Sequence, residues 1–127
     1  MATPDVIVAG HICLDLIPTF EQDGAGMDDI LVPGKLINMG PAVTSTGGTV
    51  SNAGIALHKL GVATGLAGKV GDDVLGDAIL ELLRRTDDSL AAGMIVAPGE
   101  PTSYTVVISP PGVDRMFLHC PGANDTY

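Results

Sequence analysis

The apolar positions fall into short runs separated by glycine-rich breaks, a rhythm of buried strands alternating with helices. Asp5–Gly10 (DVIVAG) is an apolar run ending in glycine, as suits a buried parallel strand. The stretch His11–Ile17 stays apolar but carries one carboxylate, Asp15. Glu21–Asp29 is rich in Gly and Asp and predicts an exposed loop. Lys35–Thr46 has β-branched and small residues around Gly40-Pro41, which predicts an edge strand, a bulge or a small flap.

Helical spacing begins at Gly47-Gly48. Ala53, Ala56, Leu57 and Leu60 recur at that period, and Gly61 stops it. Val62–Val70 predicts a second strand. Asp72 or Asp73 can cap the next helix, whose apolar positions are Val74, Leu75, Ala78, Ile79, Leu82 and Leu83. Arg84 and Arg85 close it, where cations favour the helix dipole. Met94–Ala97 predicts a third strand. Thr102–Ser109 and Arg115–Cys120 predict a hairpin around Pro110-Pro111-Gly112. This order gives one α/β domain over residues 1–127, with a parallel sheet and a small β appendage.

Composition removes several function classes. Fifteen acidic side chains face six Lys and Arg, and the formal net charge is −9. Such a chain repels phosphate backbones, which argues against nucleic-acid binding. No apolar run reaches the roughly 18 residues a membrane span needs. Met1–Asp5 has no basic n-region, so neither a secretory signal nor a membrane partner is expected, and a cytoplasmic location follows. Cys13 and Cys120 are read as reduced thiols. Asn124-Asp125-Thr126 then matches the glycosylation pattern by accident.

Two places could carry chemistry. In Gly47-Gly48-Thr49-Val50-Ser51-Asn52, glycines at a strand-to-helix junction let backbone approach a ligand, and the helix start offers N–H donors. Asn52, read as lying in the first turn, could donate to and accept from one ligand hydroxyl. A tight turn with a capping residue explains the same pattern. Neither a P-loop nor a dinucleotide fingerprint is present, which disfavours a nucleotide-binding oxidoreductase. Asp15 follows the first strand, where ligands of open α/β sheets bind. Its carboxylate could accept from two adjacent hydroxyls, or simply make an Asx turn. Gly68–Asp73 reads as a glycine turn before a capped helix. His11, His58 and His119 lack metal-ligand spacing, and His58 reads as a surface residue.

The stretch Gly47–Gly76 (GGTVSNAGIALHKLGVATGLAGKVGDDVLG) resembles the amino-terminal signature of the ribokinase-like (PfkB family) sugar kinases. Asp15, Thr102-Ser103, Asp114-Arg115 and Gly122-Ala123-Asn124 extend the resemblance over nearly the whole chain. It implies a partial doubly wound α/β domain with a small β lid, drawn from about residues 35–46 and 102–120. It implies substrate contacts by Asp15, Gly47, Gly48 and Asn52, with Thr105, Val107 and Phe117 covering the sugar. Alternation puts Thr105 and Val107 on one face, and Phe117 with Arg115 and His119 on another.

Members of that family are usually more than twice as long, and their second half holds a Gly-Asp motif with the catalytic Asp and the ATP site. Gly24-Ala25-Gly26 is followed by Met27 and is coincidental. The resemblance therefore implies the substrate-binding half of an ATP-dependent sugar kinase. ATP and Mg²⁺ would serve the full-length enzyme, and no catalytic or metal-binding residue is assigned here. The implied partners are a sugar, and either a second copy through the lid or a complementary carboxy-terminal fragment. A nucleoside kinase of the same family and a non-catalytic sugar-binding or subunit-pairing module are the alternatives.

Overall fold

The structure, a computed structural model, describes residues 3–21 and 26–127. Two sheets form. In the first, β1 (Val6–Ala9), β4 (Thr64–Gly71) and β5 (Met94–Ala97) run parallel in the order β1-β4-β5. In the second, β3 (Val43–Gly47), β2 (Cys13–Ile17), β6 (Tyr104–Ile108) and β7 (Met116–Cys120) lie in the order β3-β2-β6-β7. There β2 and β6 pair in parallel, while β2–β3 and β6–β7 are antiparallel. The α/β class with a parallel sheet and a β appendage is what forms.

The apolar run after β1 is a new strand rather than its continuation. Gly10 turns the chain at φ 136°, and β2 then enters the second sheet. Glycine is required there because that φ is closed to other L residues. The hinge is fixed by Asn124. Its Oδ1 accepts from Ile12 N at 3.2 Å, and its Nδ2 donates to Ile12 O at 2.9 Å. A side-chain amide thus stands in for a neighbouring strand.

Helices α2 (Gly48–Lys59) and α3 (Val74–Thr86) pack on one face of the first sheet. Alternation along β4 sends Leu66 and Val70 into that core, where they meet Val50, Ile79, Leu80, Leu83 and Leu90. Leu66 occupies the space that a Cβ on Gly54 would take, which lets α2 lie close to β4. The opposite face of the sheet keeps apolar side chains in solvent, with Ile7 66% and Ile95 51% exposed. A hollow of about 610 Å³ there is lined by Ile7, Gly65 and Ala67, among others, and includes no candidate site residue.

Helix α3 starts as its sequence predicts. Asp73 accepts from Gly76 N at 2.9 Å, and the same carboxylate takes Thr102 N at 2.9 Å and Thr102 Oγ1 at 2.6 Å. Burial pushes its pKa up, but these hydrogen bonds outweigh burial and leave it below the ordinary carboxylate value. The segment Gly68–Asp73 is thereby explained as structure. Lys69 ties the end of β4 to Glu100 (3.0 Å) and to Thr126 O (3.0 Å).

Some boundaries differ from expectation. Residues 22–25 lie outside those described, so Gly24 and Ala25 of the Gly-Ala-Gly triplet, and part of the expected loop Glu21–Asp29, do too. At the end of that expected loop Met27–Ile30 forms one helical turn, α1, with Ile30 buried. Of the expected flap Lys35–Thr46, only Val43 onward is strand, because pairing with β2 begins beyond Pro41. His58 is half-buried, with Nε2 3.8 Å from the Asp87 carboxylate. Both cysteines are free thiols. No described helix is long and apolar enough to cross a membrane.

Candidate functional site

Register places the candidate residues. Ser45 pairs with Asp15, Asp15 with Thr105, and Thr105 with His119, making one row across all four strands of the second sheet. Directly paired residues point to the same face of a sheet. The next row carries Val107 opposite Phe117. Thr105, Val107, Phe117 and His119 therefore share one face with Asp15. The expectation that Phe117 and His119 face away from Thr105 and Val107 is corrected. Alternation orders the residues within each strand, but only the pairing register relates two strands.

The two glycines serve different ends. Gly47 has extended backbone (φ −121°) that any residue could adopt, but a Cβ there would lie 2.5 Å from Asp15 Oδ2. The carboxylate thus rests on the backbone at the helix entrance. Gly48 has φ 88°, and its Cβ would meet His11 O at 2.5 Å. Both features bring the start of α2 against β2. No side chain caps α2. Its first-turn N–H groups and its dipole thus point toward the region of Asp15. Of these amides, Val50 N is taken by His11 O at 3.1 Å.

Asp15 is held from below. The Cys13 thiol donates to Asp15 Oδ1 at 3.3 Å, and Thr105 Oγ1 lies 3.8 Å from the same sulfur. Burial, with the Asp15 charge adding to it, pushes the Cys13 thiol up to about 11, so the group is neutral S–H. Thr105 Oγ1 also meets His119 Nδ1 at 2.9 Å. The imidazoles of His11 and His119 meet edge to face at 5.5 Å. His11 Nε2 is buried without a partner among the described residues. Arg115 lies over the Phe117 ring, 5.8 Å from its centroid.

Asn52 sits in the second turn of α2 rather than the first, because the helix already begins at Gly48. It is exposed and makes no side-chain hydrogen bond among the described residues. The residues brought together are thus Asp15, Gly47, Gly48 and Thr105, with the Val107–Phe117 pair beside them. Cys13, Ser45, His11 and His119 join them without having been singled out. For Cys13 the signal was available, since it precedes Asp15 by two residues and so shares its face.

Among the described residues no three His, Cys, Asp or Glu side chains gather as metal ligands. Asp15 is the one carboxylate that the four strands place on this face. The arrangement suits hydrogen bonding to neutral hydroxyls and does not fit a Mg²⁺ site.

Comparison with known proteins agrees with this architecture. Fructokinase-2 of Oryza sativa subsp. japonica is 31% identical over 118 residues, covering 92% of this chain and 32% of that protein. The Arabidopsis thaliana ribokinase complexed with ribose and ATP superposes with a TM-score of 0.73 at 25% identity, over 97% of this chain and 38% of that one. The Burkholderia thailandensis nucleoside kinase in complex with inosine shares the fold, with a TM-score of 0.67 at 20% identity, over 93% of this chain and 37% of that one. The chain thus spans about a third of the length of these relatives. The pfkB family carbohydrate kinase model matches residues 3–127, and the chain belongs to that family.

Proposed function

We propose that this chain supplies the sugar-binding part of an ATP-dependent sugar kinase. The reaction of the whole protein would transfer the γ-phosphate of ATP to a sugar hydroxyl. Asp15 would accept from two neighbouring hydroxyls of the substrate. Backbone at Gly47 and Gly48 would lie against the sugar, and Asn52 would add an amide contact. Thr105, Val107 and Phe117 would cover it from the second sheet, in the role of a lid. The observation that carries this reading is the Asp15 carboxylate seated on Gly47, beside a helix start that no side chain caps.

The uncovered apolar face around Ile7 and Ile95 supports a further part of this reading. A complementary carboxy-terminal part of the domain, carrying the catalytic Asp and the ATP site, would cover it. Relatives have that much additional chain. Residues 3–127 alone would bind sugar but transfer no phosphoryl group.

Calorimetric titration with ribose and fructose tests the assignment. Asp15→Ala and Asn52→Ala should each weaken binding by about 1–3 kcal/mol, the range for a lost buried polar partner. Unchanged affinity in both variants would remove the site. A native mass spectrum tests the partner. A second, different polypeptide bound to this one supports the complementary part, whereas self-pairing favours a lid-mediated dimer.

A further inference from the structure

We propose that Cys13 is a positioning residue of the sugar site: its S–H group holds the Asp15 carboxylate in the orientation that presents it to two neighbouring hydroxyls of the substrate. The proposal rests on the sugar-site reading above and adds to it a residue that acts through another.

Asp15 has little else to hold it. Among the described residues the Cys13 thiol is the one group that donates a hydrogen bond to its carboxylate, at 3.3 Å to Oδ1. A carboxylate has no proton to give, so the thiol is the donor. No Lys, Arg or His forms an ion pair with Asp15 among the described residues. Without the thiol the carboxylate would turn about χ2, a torsion with broad wells. Sulfur is a weak donor, but a charged acceptor strengthens the bond.

Two strands converge on this contact. Cys13 precedes Asp15 by two residues on β2 and shares its face. It pairs directly with Gly47 on β3. Gly47 leaves the place beside Cys13 empty, and the carboxylate leans over it: a Cβ there would stand 2.8 Å from Oδ1. One strand clears the room and the other supplies the donor. The competing acceptor for the thiol, Thr105 Oγ1, is uncharged and farther away at 3.8 Å. It is already engaged with His119 Nδ1 at 2.9 Å, whichever of the two carries the proton. Burial keeps the thiol protonated, so the donor persists through the neutral range. With one side of Oδ1 taken, Oδ2 and the other side of Oδ1 remain to accept from two adjacent hydroxyls.

Infrared spectroscopy of the S–H stretch tests the contact without any sugar. In Cys120→Ala the Cys13 thiol is the only one left, and Cys120 lies outside the row of Asp15, Thr105 and His119. Its band should move to higher frequency and weaken when Asp15→Ala is added. An unmoved band overturns the proposal and leaves the sugar site standing. Calorimetry with ribose and fructose then tests the role. Cys13→Ala and Cys13→Val bracket the thiol in size and lack its donor, and each should weaken binding about five-fold. In the Asp15→Ala background, with sugar raised to offset its loss, neither should weaken binding further, because the group they act through is gone. An equal loss in both backgrounds would mean that the thiol acts by packing, and overturns the proposal. Failure of the unmodified chain to bind either sugar overturns the sugar site and this proposal together.

Discussion

The Asp15 carboxylate occupies the space where Gly47 would carry a side chain: a Cβ there would stand 2.5 Å from Oδ2 and 2.8 Å from Oδ1. The requirement for glycine is therefore steric and set by a residue on the neighbouring strand. The backbone of Gly47 itself is unstrained. Gly47→Ala should displace the carboxylate while leaving the fold in place. Sugar affinity should fall by about 1–3 kcal/mol, read by calorimetry, with the circular dichroism spectrum unchanged. Wild-type affinity in this variant would detach Asp15 from the sugar.

The two thiols should differ in reactivity. Cys13 is buried and its thiol is pushed up to about 11, whereas Cys120 is only half-buried. The thiolate is the reacting form. Iodoacetamide at neutral pH should label Cys120 first and leave Cys13 unmodified in the folded protein, as peptide mass spectrometry would show. Equal labelling would mean that the β2–β6 pairing opens readily.

Much of the fold was legible because its signals are local. The stripe of Val74, Leu75, Ala78, Ile79, Leu82 and Leu83 and the cap at Asp73 are contained within one helix, and α3 forms where they place it. The hairpin of β6 and β7 flanks Pro110-Pro111-Gly112 as expected. The break between β1 and β2 was hidden, because Gly10 interrupts a run that is apolar on both sides. What separates the two strands is the positive φ of Gly10 and the grip of Asn124, which lies 112 residues from Ile12. Pairing across the second sheet was illegible for a related reason. The register that sets Asp15 beside Thr105 and His119 beside Thr105 joins distant segments, and no single strand encodes it.

That grip yields a prediction on stability. Asn124 satisfies both the N–H and the C=O of the fully buried Ile12. Asn124→Ala would leave both without their partner, at a cost of about 1–3 kcal/mol. Thermal denaturation should show a Tm lower by several degrees. Asn124→Asp should be nearly as damaging, because a carboxylate cannot donate to Ile12 O. An unchanged Tm in both variants would mean that the hinge is held by other contacts.

The Asp73–Thr102 contact predicts how stability responds to acid. Asp73 joins the start of α3 to the segment before β6, accepting from Gly76 N, Thr102 N and Thr102 Oγ1. Its folded pKa lies below its ordinary value of 3.8, where burial alone would have raised it. A depressed folded pKa contributes stability that is fully present above the unfolded value. That stability is lost as pH falls through the folded value. Asp73→Asn keeps the shape but removes the charge and one acceptor. The stability gap between wild type and Asp73→Asn, from urea melts, should be constant from neutral pH to about 5 and shrink on further acidification. Thr102→Val should narrow the gap at neutral pH, since two of the three donors to Asp73 come from that residue and one is its hydroxyl. A gap that stays constant into strong acid would show that Asp73 acts by shape alone.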